Sequence, residues 1–479
     1  MPPRRTKIIA TIGPATRSEA AVRSLIDAGV DAFRLNFSYG SHDEHAEAFD
    51  LIRRLSRYAD RPVAIVQDLQ GPKVRVGKLA NGPYQLERGD ETTFTTDGVT
   101  GDAARIPVTY AALPQVVKAG DRILLGDGEA ELRVESVAGP EVRARVIEGG
   151  VLKENQGMHL PGVALREEAL SEKDLADLRL GVRLGVDYVA LSFVRSGDDV
   201  RLLKKLIKEQ GARIPVIAKL EKKEAIEALD EILAAADGVM VARGDLGLEL
   251  GPEKVPLLQK RIIRQANRRG ILVITATQML ESMTSSPRPT RAEASDVANA
   301  ILDGTDAVML SAETAVGRYP AQAVRMMARI AEEAESEPGE DHAEGRRLSH
   351  AHALSRAARK LASDVHASAI VVFTRSGYSA YLVSKERPRI PIFAFTPSEA
   401  VSRQLALWWG VTPLVADFAP SVEEMIPYTD RYLVEQGLLR KGDVVVVARW
   451  SPLRAKVWTN FVQLHRLATK SADAGLATD

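Results

Sequence analysis

The 479-residue chain contains no cysteine. Disulfide frameworks, cysteine nucleophiles and thiolate metal sites are therefore excluded. It also lacks a charge bias. Lys+Arg and Asp+Glu both number 64, so the net charge is zero, which argues against a protein that coats nucleic acid or is held on membranes by bulk charge. No apolar run approaches the roughly 20 residues of a membrane span. Met1-Pro2-Pro3-Arg4-Arg5-Thr6 has no apolar stretch behind its charges, so no secretory signal is visible. What is present is ordinary globular composition, 45% apolar and 27% charged, over a length that implies two or three domains. A cytoplasmic multi-domain protein is expected.

Short β-rich runs recur, each followed by a helix-like stretch. The first three are Lys7 to Ile12, Ala32 to Phe37 and Val63 to Leu69. From about Pro72 to Arg166 the alternation stops. This part is rich in Gly, Val and Thr and carries the hairpin dipeptide Asp127-Gly128, so an inserted antiparallel β domain is predicted. Alternation resumes at Ser171. Strands are predicted at Asp187 to Ser192, Pro215 to Leu220, Gly238 to Ala242, Ile271 to Ala276 and Ala307 to Leu310, with helices such as Asp198 to Gln210 and Lys222 to Ala235 between them. Three units before the insertion and five after it make eight, the number that closes a (β/α)8 barrel. An open doubly wound sheet could also hold eight strands. After an acidic run from Glu332 to Asp341, broken by Pro338-Gly339 and read as a solvated linker, a further α/β domain follows, with strands at Ala369 to Thr374, Pro391 to Thr396 and Asp443 to Ala448. The expected division is 1–71 with 168–337 for the barrel, 72–167 for the insertion and 338–479 for the last domain.

In such barrels the chemistry sits at the C-terminal ends of the strands. Those ends are unusually polar here: Arg34-Leu35-Asn36-Phe37-Ser38, Gln67-Asp68-Leu69, Ser192-Phe193-Val194-Arg195, Lys219-Leu220-Glu221, Arg243-Gly244-Asp245, Thr277-Gln278 and Ser311-Ala312-Glu313. Seven consecutive strands with ionisable or hydroxyl groups at one rim are not chance placement, and this polar pattern favours closure. Lys219 and Glu221 are i and i+2 on one strand, so their side chains face the same way. Glu221 and Asp245, from adjacent strands, could share a hard divalent cation such as Mg2+. Gly244 and Gly247 let backbone N–H groups near Asp245 converge on an anion. Arg34, Arg75, Arg195 and Arg243 are cations suited to phosphate or carboxylate. Together these groups suit phosphoryl transfer. The eight histidines lie outside the strand ends, which disfavours histidine acid–base or zinc chemistry. His42 and His45, at i and i+3, are read as a solvated helix face, and Thr290-x-x-Glu293 as a capping box.

Thr11-Ile12-Gly13-Pro14, Arg34 to Ser38, Gly71-Pro72-Lys73-Val74-Arg75, Met240 to Gly247, Ala276 to Met283, Pro289 to Glu293, Ser295 to Ala300 and Met309 to Ala315 resemble the blocks of the pyruvate kinase family, in family order and spacing from residue 6 to about 320. The last domain resembles it more loosely. The resemblance implies transfer of the phosphoryl group of phosphoenolpyruvate to ADP, giving pyruvate and ATP, as the last step of glycolysis. It implies that Lys219 and Arg34 meet the phosphoryl group, that Glu221 and Asp245 hold Mg2+, and that Gly244, Asp245 and Thr277 bind the carboxylate. Thr277 also lies near the proton path, and Asn36, Arg75 and Gln156 fall on the nucleotide side. A second Mg2+ is expected with the nucleotide, Mn2+ as a substitute, the insertion as a β-barrel lid, and a homotetramer.

Three positions depart from the family pattern. In Asp68-Leu69-Gln70-Gly71-Pro72-Lys73, the lysine goes with potassium independence, its ammonium standing in for a monovalent cation that Asn36, Ser38, Asp68 and Leu69 would otherwise hold. Gln156 stands where a nucleotide-phosphate lysine is expected, and Tyr39 replaces a common histidine. Thr374-Arg375-Ser376-Gly377-Tyr378-Ser379 resembles a loop that binds phosphorylated effectors, whereas Trp450 to Lys456 lacks the Gly-rich loop of many relatives. Two rivals are a lyase or aldolase handling phosphoenolpyruvate or pyruvate, and a catalytically silent sensor. The insertion with Arg75 argues against the first, and retention of Lys219, Glu221 and Asp245 against the second.

Overall fold

The computed structural model describes residues 4–163, 168–337, 349–418, 422–449 and 461–468. Strands β1 (Lys7–Thr11), β2 (Ala32–Asn36) and β3 (Ala64–Asp68) lead into the insertion. The insertion holds β4 (Tyr84–Leu86), β5 (Glu91–Thr95), β6 (Arg105–Pro107), β7 (Arg122–Leu125), β8 (Ala130–Ala138), β9 (Glu141–Glu148), β10 (Gly150–Leu152) and β11 (Met158–His159). Then come β12 (Tyr188–Leu191), β13 (Val216–Leu220), β14 (Gly238–Ala242), β15 (Leu272–Ala276) and β16 (Ala307–Leu310). β1–β3 and β12–β16 close into one parallel barrel, β16 pairing with β1 and β12 with β3 across the insertion. The open-sheet alternative is thereby excluded.

Each predicted barrel strand is present to within a residue or two. β1, β3, β13, β14 and β15 are buried at every position, because helices cover one face and opposing strands the other. That is why they read as continuous apolar runs. Ser41 with Glu44, Ser171 with Asp174 and Thr290 with Glu293 form capping boxes that start crossover helices at the polar rim. Inside, Ala32, Val66, Ala190, Ile217, Met240, Ile274 and Met309 belong to one apolar cluster. Two residues further along the same inward files come Arg34, Asp68, Ser192 and Lys219, so the interior turns from apolar to ionic toward the rim.

The insertion has its own core around Phe94, Ile123, Leu132 and Val142. Its main sheet runs β11-β7-β8-β9-β5-β6 and is antiparallel except for β5 with β6, which are parallel. The two edges are joined by isolated bridges from one short segment, Arg75 to Gly157 and Val76 to Val108, so the expected barrel closes through Arg75-Val76 rather than through a full strand. The last domain is a sheet of order β19-β18-β17-β20-β21, built from β17 (Ala369–Phe373), β18 (Ile392–Thr396), β19 (Val411–Val415), β20 (Val444–Arg449) and the antiparallel β21 (Phe461–Arg466). It covers the apolar mouth of the barrel. Leu405, Leu407 and Trp408 join the barrel's interior cluster, Lys7 Nζ donates to the Val411 carbonyl at 2.7 Å, and Tyr188 Oη donates to that of Gln404 at 2.8 Å.

Three readings need correction. The helix expected over Lys222 to Ala235 is two, Lys223–Glu227 and Leu229–Ala235, because Ala228 leaves helical geometry at ψ 18° with no Gly or Pro to signal the break. The acidic run is not wholly solvated: Glu335 accepts from the Arg5 and Thr6 backbone N–H groups and pairs with the Arg5 guanidinium. Nor is the histidine pair simply a wet face. His42 Nε2 meets Asp177 at 2.7 Å, and His45 stacks on Phe37 with ring centroids 3.9 Å apart. The Trp450 to Lys456 segment lies outside the described residues.

Candidate active site

The centre of the rim is a buried chain of alternating charge. Arg34 Nε donates to Asp68 at 2.6 Å, and Lys219 Nζ lies 3.3 Å from Asp68, 2.9 Å from Glu221 and 2.7 Å from the Ser192 hydroxyl. The Ser192 hydroxyl in turn donates to the Leu69 carbonyl at 2.7 Å. These groups come from β2, β3, the end of β12 and β13, which the barrel places side by side. Burial disfavours the Lys219 ammonium, but Asp68 and Glu221 outweigh it and hold its pKa above the usual lysine value. Burial likewise raises Asp68, and Lys219 with Arg34 reverses this to a net lowering. Glu221 goes the other way. Burial and the neighbouring Asp245 raise its pKa despite Lys219 and the Phe193 N–H that it accepts at 2.6 Å.

A buried carboxylate pushed up by a second carboxylate is the arrangement that a divalent cation relieves. Among the described residues no three His, Asp or Glu side chains cluster as a complete metal cage. Glu221 and Asp245 alone suit a hard ion that takes its other ligands from water and substrate oxygens, as Mg2+ does.

Asp245 sits in the first turn of the helix Arg243–Leu250, whose N-terminus faces the rim. The Gly244 N–H donates to Thr277 Oγ1 at 2.8 Å, and Thr277 donates to the Ala276 carbonyl at 2.7 Å. Thr277 and Gln278 have φ of 68° and 51°, and Phe193 has 53°. Left-handed backbone at a β-branched residue persists only where the surroundings enforce it, and here it marks the ends of β15 and β12.

Other rim residues do different work from that expected of a phosphate clamp. Arg243 is buried and turned sideways: its guanidinium donates to the carbonyls of Thr277 and Gln278, both at 2.9 Å, and pairs with Asp296 at 2.7 Å. It therefore braces the strained turn. Glu313 is fully buried and accepts the N–H groups of Leu280 and Ser311 at 3.0 and 2.7 Å. Of the proposed monovalent-cation set, Asn36 Oδ1 accepts from the Ser38 N–H at 3.1 Å, while Asp68 and Leu69 already serve Arg34, Lys219 and Ser192.

Across the cleft, Arg75 donates to the Asn155 carbonyl at 3.0 Å and lies 5.8 Å from the exposed Tyr39 ring, linking insertion to barrel. Gly162 N–H reaches Glu249 at 3.0 Å, and Glu249 also holds Lys222 at 2.9 Å. Gln156 is used inside the insertion: its amide donates to Glu129 and the Val151 carbonyl and accepts from the Lys153 N–H. In the far domain, Thr374 is buried, Arg375 lies 5.4 Å from the Phe418 ring, and Gly377, at φ 85°, starts the helix Tyr378–Lys385, whose first turn contains the buried Ser379. The Ser376 hydroxyl accepts from the Tyr378 N–H.

This geometry has close counterparts. A family model described as pyruvate kinase, barrel domain, matches residues 3–324, and one described as pyruvate kinase, alpha/beta domain, matches 352–465. The chain belongs to the pyruvate kinase family. A pyruvate kinase of Corynebacterium glutamicum is 44% identical over 99% of this chain and 100% of its own length, and pyruvate kinase 2 of Synechocystis is 51% identical over 93% and 76%. A crystal structure of a pyruvate kinase from Cryptosporidium parvum superimposes with a TM-score of 0.90 at 35% identity, covering 97% of this chain and 96% of that one. Members are phosphotransferases that use a divalent metal, phosphoenolpyruvate and ADP. No described helix is long and apolar enough to cross a membrane.

Sequence reasoning placed Ser192 at a strand end without a role; its hydroxyl joins Lys219 to Leu69. The Phe193 N–H on Glu221 carried no sequence signal, since any residue supplies a backbone donor. His159 lies on no barrel strand and so carries no strand-end signal, yet the insertion's fold brings it within the electrostatic reach of Glu221.

Proposed function

We propose that the ionic rim transfers the phosphoryl group of phosphoenolpyruvate to ADP, yielding pyruvate and ATP with uptake of one proton. The observation that carries this reading is Lys219, buried and charged between Asp68 and Glu221, with Arg34 beside it. Phosphoryl transfer asks little covalent chemistry of a protein and much positioning and charge neutralisation. Arg34 and Lys219 grip the phosphoryl group, and the Lys219 ammonium stabilises charge on the enolate oxygen as the P–O bond breaks. Gly244, Asp245 and Thr277 seat the carboxylate at the helix start, and Thr277 lies on the proton path to the enolate. Mg2+ on Glu221 and Asp245, for which Mn2+ can substitute, supplies electrostatic neutralisation of the phosphate oxygens when bound. A second Mg2+ accompanies the nucleotide, whose side of the cleft is formed by Asn36, Arg75 and the Gln156 loop. The insertion excludes water as a lid.

Lys73 supports a reaction that needs no potassium. The Thr374–Ser379 loop supports a phosphorylated small-molecule effector, checked by titrating sugar phosphates into the assay. A homotetramer and a cytoplasmic setting complete the reading. The deciding experiment follows pyruvate formed from phosphoenolpyruvate and ADP with Mg2+ in tetramethylammonium buffer, then with potassium added. Turnover without potassium is the expected result. Turnover only with potassium keeps the reaction and removes the Lys73 account. No turnover of folded protein in either buffer removes the reaction and returns the lyase and sensor readings.

A further inference from the structure

Gln156 cannot offer a charge to a phosphate, and its amide is already satisfied within the insertion. The neighbouring residues supply a different pair. Met158 packs into the insertion's core, so on the two-residue strand β11 the side chain of His159 faces the opposite way. Its Nε2 and the Nζ of Lys73 each lie 3.7 Å from the point where a β-carbon on Gly157 would stand, and Lys73 Cε lies 3.1 Å from it. A side chain at 157 would fill the space onto which both nitrogens converge. Neither nitrogen donates to a protein acceptor among the described residues. Two donors brought together without an acceptor between them are built for an anion.

The surroundings set the form of the ring. Burial, then Lys73 and Lys222, push the imidazole down to about 4 against the pull of Asp127 and Glu221. At neutral pH it is an uncharged ring with one N–H to give.

We propose that Lys73 and His159, converging over Gly157, seat the diphosphate of the nucleotide, supplying from two other positions the contact that Gln156 cannot make. The inference rests on the phosphoryl-transfer reading above. The donor's phosphate belongs to Arg34 and Lys219 on the barrel wall. The insertion forms the opposite wall, from which an acceptor must approach for in-line transfer. His159 is thus a nucleotide-binding residue, and Gly157 is kept bare to leave room for the phosphates.

The test compares His159→Ala and His159→Asn with the wild type at pH 7.5 and saturating Mg2+. For His159→Ala, KM for ADP should rise about tenfold, the loss of one hydrogen bond to a charged group, with KM for phosphoenolpyruvate unchanged within twofold. His159→Asn, which keeps an N–H donor, should recover most of the difference. Calorimetric titration without phosphoenolpyruvate should show weaker ADP binding by His159→Ala and equal adenosine binding. An unchanged KM for ADP would overturn the proposal. So would KM values for both substrates rising together, or adenosine weakening as much as ADP, since either marks a role in packing the insertion. Wild-type protein without turnover would remove the underlying reaction, whereas normal wild-type turnover with an indifferent His159→Ala removes only this seat.

Discussion

Lys385 allows a sharp test of what joins the last domain to the barrel. Its side chain is completely buried, and Nζ lies 2.5 Å from Asp306 and 2.8 Å from Asn267 Oδ1, both on the barrel. Asp306 precedes β16 and also accepts the Val273 N–H at 2.8 Å and the Arg387 guanidinium at 2.8 Å. Lys385→Met keeps most of the aliphatic volume, so little cavity forms, but Asp306 loses its nearest cation. Breaking a buried pair from one side costs about 3–5 kcal/mol. Arg387 remains on the other carboxylate oxygen, which places the expected loss near the lower bound, about 3 kcal/mol. At roughly 2–4 °C per kcal/mol for domains of this size, the melting temperature should fall by about 6–12 °C. Large multi-domain chains often unfold irreversibly, so scanning calorimetry at several scan rates should be paired with the half-life of activity at one elevated temperature. Lys360→Met is the control, because Lys360 pairs with Asp364 in the open, at side-chain exposures of 71% and 53%. If both variants melt together with the wild type, the buried pair is not what clamps the domains, and the reasoning fails.

Lys219→Met should lower kcat by about a hundred- to a thousandfold, the range lost when one preorganised group stabilising a transition state is removed. Phosphoenolpyruvate affinity should change only a fewfold, and near-normal turnover would take Lys219 out of the mechanism. Lys73→Glu should create a potassium requirement; equal activity in sodium- and potassium-free buffer would refute the charge-replacement argument. Chelation of divalent ions should abolish turnover, and Mg2+ or Mn2+ should restore it, while a Glu221→Gln variant stays inactive at any Mg2+ concentration. For His159, the folded protein binds the proton near pH 4 and the unfolded chain near 6.5. Between those values the unfolded state holds more protons, so stability falls as pH drops from 6.5 to 4, by about 2–3 kcal/mol from this group. His159→Asn should flatten that part of the curve, as read by proteolysis of the insertion at pH 4.5 and 7. An unchanged slope would mean that the ring is not held neutral.

Much of the site was legible because two rules act locally. Period-two alternation puts Lys219 and Glu221 on one side of a strand, and the barrel sends every strand's C-terminal end to one rim, so a list of strand ends is already a list of neighbours. Buried parallel strands announce themselves as apolar runs, and the capping boxes at Ser41, Ser171 and Thr290 mark where helices begin. Those readings needed no knowledge of distant contacts.

What remained depends on pairings that the chain order hides. Arg243 stands beside Gly244 and Asp245 in sequence, yet its guanidinium turns to the Thr277 and Gln278 carbonyls, because a positive-φ turn on the next strand leaves them open. Lys385 and Asp306 are 79 residues apart and become a buried pair only when the last domain covers the apolar mouth. His159, on a two-residue strand of the insertion, meets Lys73 only because the Met158 N–H bonds the Val74 carbonyl and the Arg75–Gly157 bridge brings the two ends of the insertion together. The sequence by itself determined the barrel, its insertion and the identity of the ionic rim, since these follow from local periodicity and a closed topology. Tertiary structure alone decided which charges gather at the rim and which brace the fold, because a long side chain takes its direction from whichever acceptors packing leaves within its reach.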